Sequence, residues 1–537
     1  MDTRTPARHP EPTTAPAGRR AATAAPVSRR AVLGGAIGAG LALAGAGGLA
    51  GWVAFGRGGR PVGPGVIAAA EAARHRSGRT VSADLVVQRS QVDLGGPVVS
   101  AMTYGGLLPG AQLRVGAGDV LRVRIRNELD QPTSVHWHGL AIRNDADGVP
   151  ELTTPAVRAG GTAGLEFVVP DPGTYWFHPH TGLQLDWGLY APLVVDDPHE
   201  PGGHDHELIV VLDDWSPSLG ATPEQILADL QAGGGAMTSG GMGGMGGMPG
   251  SMPGSMPGSM PGAMPGMPDG GGAGQVDYPA YLANGRLPAA AGTLAARPGQ
   301  RVRLRIINAA ADTTFDVAMA GHRLSVTHSD GYPVGPVVVD AVRISMGERY
   351  DATVTLADGV FPLTAVPLGK SGRPARVLLR TGAGAAPSPD IVPDQIWGRR
   401  LLLGDLVPDD AARLPARAPD SVQDVVLGGG MGSYVWTING RSYDDTRPLT
   451  VRQGQLTRLR LANRTMMLHP VHLHGHTFAV RGVPAGGGGA RKDTVLVPPM
   501  GLLDVDVLAD NPGAWMLHCH NAFHMAAGMM TRLEYVA

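Results

Sequence analysis

Apolar and basic residues alternate in the stretch GDVLRVRIRN, where Val123 and Ile125 interleave with Arg122 and Arg124. Alternation with period two is the signature of a β-strand with one face on a core. The pattern returns in GQRVRLRIIN from Gly299 and in GQLTRLRLAN from Gly454, and the three stretches share G-[DQ]-x-x-R-[VL]-R-[IL]-x-N. Such self-similarity predicts one β-domain copied three times. A chain of 537 residues has room for three or four domains at roughly 150 residues each. With a non-globular start set aside, the copies are expected over 80–200, 205–385 and 395–537. HELIVVLDDW reads as the first strand of the second copy, and Asn284-Gly285 as a hairpin turn entering its repeat strand.

Histidines follow the repeat. Counting from its last Asn, the first copy carries His136 and His138 at offsets nine and eleven, in HWHG, and the third carries His472 and His474 there, in HLHG. The middle copy has Val317 and Met319 at those offsets. A second strand follows in each copy. PGTYWFHPH places His178 and His180, PGAWMLHCH places His518 and His520, and the middle DGVFPLTAV offers Thr364 and Val366. Residues i and i+2 of a strand project from one face, so each His-x-His delivers two imidazoles together. One such pair on a surface is more often incidental than a ligand pair. Four at matched positions point to eight imidazoles brought to one shared site by the first and third copies. Imidazole suits copper, iron and zinc, and one tetrahedral zinc does not need eight, so several ions are expected.

The chain has a single cysteine, Cys519, set between His518 and His520. It cannot make an intrachain disulfide, and as packing it would be a small buried hydrophobe. With His469, His524 and Met529 it offers two imidazoles, a thiolate and a thioether, the ligand set of a blue-copper electron-transfer centre with a weak axial Met. Met529 alone reads as a gap-filler; its interval from Cys519 and His524 is what raises it. The two flanking histidines give that centre a short covalent route to the eight-histidine cluster.

HWHG, HPH, HPVHLHGH and HCHNAFHMAAGM, in that order between about residue 80 and residue 537, resemble the four copper motifs of the three-domain multicopper oxidases. The resemblance implies an all-β chain of three cupredoxin-like Greek-key β-sandwich domains, with four coppers per chain as cofactors. It implies a laccase-like or cuprous oxidase that takes electrons from Cu(I) or phenolic donors at a type 1 copper. Those electrons would reduce dioxygen to water at a trinuclear cluster between the first and third domains. By position, His469, Cys519, His524 and Met529 correspond to the type 1 ligands and His136 and His472 to the type 2 ligands. His138, His178, His180, His474, His518 and His520 correspond to the type 3 ligands, while His476 is not a ligand in this pattern. Asp147, in NDADGVP, matches an acidic residue that assists proton delivery in relatives; as bare sequence it reads equally as an Asp-Gly turn residue. Two departures stand out. Some relatives carry a Glu straight after the last type 1 histidine, where this chain has Met525. Cuprous oxidases place an acid and a methionine just before the first type 1 histidine, and here Thr465 takes the acid's place ahead of Met466 and Met467.

Charge and composition add limits and two further segments. A net charge of −2 and a pI near 6.8 leave nothing to draw the chain to nucleic acid. SRRAVLGG puts Arg29 and Arg30 ahead of an uncharged, Gly- and Ala-rich run from Ala31 to Gly56, with small residues around Ala42 to Ala46 suited to cleavage. This is the arrangement of a twin-arginine export signal over 1–60, predicting an extracellular, periplasmic or cell-envelope destination. Its weak apolarity argues against stable membrane insertion after export. Between Met237 and Met267, nine methionines recur among Gly, Pro and Ser, a composition that builds no packed core. Thioethers are soft ligands for Cu(I), so copper handling is the expected role of 237–267, within a wider part in copper tolerance. The competing reading is a copper-sequestering or structural protein on the same scaffold, against which the complete ligand set argues. A copper nitrite reductase would need fewer domains and neither the HPH nor the HCH pair. The electron donor and the oligomeric state are not written in the sequence.

Overall fold

The computed structural model describes residues 61–198, 200, 203–233, 274–430, 432–483 and 489–537. The export-type segment over 1–60 and the methionine-rich stretch 237–267 lie outside them. Six sheets form among the described residues, and along the chain they come in pairs. In the first pair, Val98–Tyr104, Thr80–Asp93, Val120–Asn127 and Thr162–Val168 make one sheet; Leu113–Gly116, Ala191–Asp196, Gly173–His178 and His136–His138 make the other. Their inward residues share one apolar core that includes Leu121, Val123, Phe177 and Leu193. The middle and third pairs each add a six-stranded sheet and a five-stranded sheet. No helix is long and apolar enough to cross a membrane among these residues.

The alternating stretches are strands, as their periodicity predicts: Val120–Asn127, Arg301–Asn308 and Leu456–Asn463. Each runs parallel to the strand that opens its sheet pair: Thr80–Asp93, His206–Trp215 and Ser421–Gly430. The final Asn does the same work three times. Its Oδ1 accepts from the backbone N–H two residues on, at Leu129, Ala310 and Thr465, at 3.0, 3.0 and 2.9 Å. Its Nδ2 donates to carbonyls of the loop that turns into the opposite sheet. A buried amide that fully satisfies itself in this way fixes where the next strand begins.

That loop corrects one sequence expectation. Asn127 and Asn463 reach the carbonyls of Gln131 and Met467, four residues on, whereas Asn308 reaches Thr313, five on. The middle loop therefore holds one extra residue. His136 pairs with His178 and His472 with His518, but Thr364 pairs with Ala318, not with Val317. A one-residue shift sends every side chain of a strand to the other face. Val317 and Met319 thus lie in the apolar core, and the positions equivalent to the histidines are Ala318 and Ala320. Neither alanine can bind a metal.

A second difference concerns the arginines. In Val120–Asn127 they face solvent, but Arg303 and Arg305 of the middle copy are buried, because the first sheet pair covers them. Arg305 donates to Thr174 Oγ1 at 2.8 Å, and both arginines pair with Asp351. Asn284-Gly285 does form a tight turn, with positive φ at both residues and backbone hydrogen bonds exchanged between Ala283 and Arg286. It does not feed the repeat strand, because Thr293–Ala295 intervenes and joins the opposite sheet beside Ala375–Arg380.

Candidate metal centres

His136–His138 shows how one short strand serves both a core and a site. Its period of two turns Trp137 inward, where it is fully buried against Phe167 and Phe177 with ring centroids 5.2 Å apart. Truncating such a side chain costs about 3–5 kcal/mol. The same alternation turns His136 and His138 to the opposite face. Ala514–Cys519 repeats the device: Cys519 lies in the apolar core, while His518 faces the first sheet pair.

The first and third sheet pairs meet at these faces with a near-twofold exchange of rings. His136 stacks on His474 with centroids 3.7 Å apart, and His138 stacks on His472 at 3.8 Å. All eight histidines of the four pairs come together. His138, His178 and His520 place ligand nitrogens within 4.8 Å of one another, as do His180, His474 and His518, and as do His136, His138 and His472. The glycines that end HWHG and HLHG permit this approach. A Cβ on Gly139, at φ +88°, would sit 2.4 Å from Arg349 Nη2, and one on Gly475, at φ +63°, would meet the Trp515 ring at 2.2 Å.

Ring nitrogens fall into two sets. The outward ones donate to fixed acceptors: His136 Nδ1 to the Asp147 carbonyl at 3.0 Å and carboxylate at 3.1 Å, His474 Nδ1 to Asp147 Oδ2 at 3.0 Å, His178 Nδ1 to the Pro179 carbonyl at 3.0 Å, and His518 Nδ1 to the Cys519 carbonyl at 2.8 Å. The inward ones, among them His136 Nε2, His138 Nδ1, His178 Nε2, His180 Nε2 and His472 Nε2, are buried without any partner, as is His520 at both ring nitrogens. Buried polar atoms are hydrogen-bonded in the large majority of cases, and seven of the bare ones among the described residues belong to this one cluster. Lone pairs left bare and aimed at one space, with their tautomers set from behind, fit a metal cluster. Asp147, read from sequence as a proton residue or a turn residue, is buried with a histidine on each carboxylate oxygen, one from each outer sheet pair.

Sequence reasoning missed Asp493 and Arg349. Asp493 Oδ1 accepts from His138 Nε2 at 3.2 Å, its carbonyl accepts from His472 Nδ1 at 3.0 Å, and Thr494 Oγ1 lies 3.1 Å from both rings. Arg349 belongs to the middle sheet pair and is fully buried. It grips Asp493 with two hydrogen bonds of 2.7 Å and donates through Nε to the Thr174 carbonyl of the first pair at 3.0 Å. Burial alone would raise the Asp493 pKa, but the Arg349 guanidinium and the His472 N–H outweigh it and hold the carboxyl well below the usual range. The middle pair thus contributes no ligand to the cluster and still clamps the two that do. RKDTV carries no spacing signal that would have singled out Asp493, and Arg349 is one arginine among many.

A separate group lies behind the cluster. Cys519 Sγ is 3.5 Å from His469 Nδ1 and 3.7 Å from His524 Nδ1, and the two nitrogens are 3.2 Å apart. All three residues are buried. His469 Nε2 donates to Thr465 Oγ1 at 2.7 Å, and that hydroxyl donates in turn to Asn463 Oδ1 at 2.9 Å. Gln275 Oε1 lies 3.4 Å from His524 Nε2. Met529 is fully buried and its carbonyl accepts from the Cys519 N–H at 3.0 Å. His476 stays outside both groups, bonded through Nε2 to the Tyr535 hydroxyl at 2.6 Å.

Burial pushes the pKa of His138, His178, His180, His469, His474, His518 and His520 well down, and that of His524 down to about 3. Neighbouring imidazoles add to the effect at the cluster. Each ring is held neutral and ready to bind metal. Burial pushes the Cys519 thiol up, so a metal ion must displace its proton. Below about pH 6.5 the unfolded chain takes up protons that the folded rings refuse, each group removing about 1.4 kcal/mol per further pH unit. The metal-free protein is therefore expected to show a steadily lower calorimetric unfolding midpoint from pH 7 to pH 5, and the copper-loaded protein a smaller drop. A metal-free midpoint that does not move with pH would contradict the buried neutral rings.

Three pairs of β-sheets, an eight-imidazole centre between the outer two pairs and a cysteine–histidine centre one residue away define a metal-binding protein of cupredoxin-like architecture whose donor sets suit copper. Family profiles described as multicopper oxidase match residues 86–200, 209–384 and 416–536, and the chain belongs to the multicopper oxidase family. It is an oxidoreductase whose cofactor is copper. It is 50% identical over 471 residues to the multicopper oxidase MmcO of Mycobacterium tuberculosis, covering 88% of this chain and 90% of that protein. It is 29% identical over 547 residues to a copper resistance protein A homolog of Pseudomonas syringae pv. tomato, covering 84% and 92%. Among solved structures, a multi-copper oxidase from Pseudomonas thermotolerans is similar at 26% identity and a TM-score of 0.62, over 86% of this chain and all of that one. A laccase from Botrytis aclada, at 24% identity, shares the fold with a TM-score of 0.69 over 86% and 88%.

Proposed function

We propose that the chain is an exported oxidase of Cu(I) and phenolic donors that serves copper tolerance, with domains over 80–200, 205–385 and 395–537. His469, Cys519, His524 and Met529 hold the type 1 copper, His136 and His472 the type 2 copper, and the remaining six paired histidines the type 3 coppers. When bound, these coppers accept electrons singly from donors and pass four of them to dioxygen, giving water. Cys519 is the observation that carries this reading. Its two neighbours belong to different histidine groups, His518 with His180 and His474, and His520 with His138 and His178, so the sulfur has a covalent route to both.

The protein's own residues divide the remaining work. Asp147 holds His136 and His474 in orientation and is the carboxylate placed to pass protons to the cluster. A cavity of ≈540 Å³ lined by Ser134, Asp145, Gly148 and Thr154 adjoins the loop that carries it, and the backbone N–H of His180 donates to Ser134 Oγ in that lining at 2.8 Å. Copper tolerance is supported by the similarity to copper resistance protein A, and phenolic donors by the similarity to laccases such as laccase-1 of Botryotinia fuckeliana. The methionine-rich stretch 237–267 supplies thioethers for cuprous ion.

Oxygen uptake by the copper-loaded protein, with Cu(I), Fe(II) or a dimethoxyphenol as donor and with or without 237–267, tests the reading. Uptake with Cu(I) and the phenol is expected, with the deletion lowering Cu(I) turnover about tenfold and phenol turnover little. A fully loaded protein that consumes no oxygen with any donor would favour the sequestering role instead, and equal Cu(I) turnover after deletion would remove the stretch from copper handling.

A further inference from the structure

Asn521 sits between the cluster ligand His520 and the helix that carries His524, and it is almost completely buried. Its backbone N–H lies toward the Cys519 sulfur. Its Oδ1 caps the helix Ala522–Ala526, accepting from Phe523 N and His524 N at 3.1 Å each. One residue thus touches the sulfur, fixes the start of the turn that presents His524 and adjoins His520. The amide is oriented by its other end, where Nδ2 donates to Asp312 Oδ1 of the middle sheet pair.

Asp312 is itself buried and fully engaged. Its Oδ2 accepts from Lys370 Nζ at 2.7 Å and from Val276 N at 2.9 Å, and its own N–H donates to Asp214 Oδ2 at 3.0 Å. The adjoining Ala311 carbonyl accepts from Ala522 N at 2.8 Å. Val276 directly follows Gln275, whose Oε1 faces His524 Nε2. A single buried ion pair therefore anchors both the sulfur-side turn and the segment over the outer edge of His524.

We propose that Asp312 and Lys370 are positioning residues of the Cys519 centre that act through Asn521 and set the reduction potential of the copper held there. The inference rests on reading His469, Cys519 and His524 as the type 1 copper site. A buried anion stabilises the more highly charged oxidised ion, and a buried cation opposes it. Removing each partner should therefore move the potential in opposite directions. Loss of packing, or general loosening of the middle sheet pair, would move both variants the same way.

The test is a spectroscopic redox titration of the copper-loaded full chain, following the visible absorption of the Cys519 centre, for wild type, Asp312→Asn and Lys370→Met. Asp312→Asn removes the carboxylate that holds Asn521 and leaves Lys370 facing Asp214 alone, and is expected to raise the potential. Lys370→Met is expected to lower it. Each shift should correspond to about a tenfold change in the redox equilibrium with a one-electron donor, about 59 mV. If one of them fails to fold, Asp312→Ser or Lys370→Gln takes its place, so that both signs are read. Shifts of the same sign, or no shift in either, overturn the proposal. A wild-type protein that binds copper without the visible band would instead overturn the assignment of the centre, and the two failures are therefore distinct. Asn521→Ala adds a third readout: loss of the helix cap and of the amide link to Asp312 should broaden or weaken the band while the Asp312–Lys370 pair persists. An unchanged band in Asn521→Ala would show that the pair does not act through Asn521.

Discussion

Cys519→Ser is expected to remove the intense visible absorption of the copper-loaded protein and to lower donor-driven oxygen uptake at least about 10³-fold, about 4 kcal/mol in barrier. The reason is chemical rather than steric. A serine hydroxyl fills nearly the same space in the core that Cys519 shares with Phe523 and Met529, so the strand Ala514–Cys519 keeps its register and His518 and His520 keep their places. What is lost is a soft anionic ligand, since an alcohol neither ionises readily nor binds copper with thiolate covalency. The eight histidines take no hydrogen bond from the cysteine side chain; His518 Nδ1 uses the residue's backbone carbonyl, which serine retains. Copper analysis should accordingly show one copper fewer per chain, with the polyhistidine centre still populated. Retention of the band, or loss of all copper, would each contradict the separation of the two centres.

The motifs that could be read in the sequence are those whose chemistry has a fixed interval. His-x-His on a strand, a cysteine between two histidines and a strand period of two are local facts, and the structure brings the eight rings into one group and Cys519, His469 and His524 into another. The middle copy shows where interval counting fails. One extra residue between Asn308 and the following strand is invisible to a repeat that ends at the Asn, yet it turns Val317 and Met319 into the core. The parts that hold the centres from behind were also hidden. Asp493 and Arg349 meet across 144 residues of chain, and Asp312 reaches Asn521 across 209. No periodicity records a partner that distant, and a buried arginine on a strand looks like its solvent-facing counterparts until another sheet pair covers it. Thr465, where cuprous oxidases carry an acid, places a neutral hydroxyl on His469 Nε2, a contact that no interval in the sequence announces.

Asp147→Asn is expected to slow reoxidation of the reduced protein by dioxygen about 10²–10³-fold while leaving the rate at which a donor reduces the Cys519 centre unchanged. Both Asp147 oxygens accept from imidazole N–H groups, His136 at 3.1 Å and His474 at 3.0 Å. A carboxamide has one acceptor oxygen; with that oxygen on His474 its NH₂ faces His136, whose Nδ1 keeps the Asp147 backbone carbonyl at 3.0 Å, so the cost stays below the about 1–3 kcal/mol of an unpaired buried donor. That penalty falls on ring orientation alone. The larger effect comes from losing an ionisable oxygen where reduction of dioxygen consumes four protons and where Met525 leaves no carboxylate after His524. Stopped-flow reduction under anaerobic conditions, followed by mixing with oxygen, separates the two half-reactions. Orientation and proton supply are then told apart by adding a small carboxylic acid as an external proton donor in place of Asp147. Partial rescue of the reoxidation rate, with the pH profile of the added acid, identifies proton supply as the role. A rate in Asp147→Asn equal to wild type would reduce Asp147 to a turn residue, the alternative that the sequence left open.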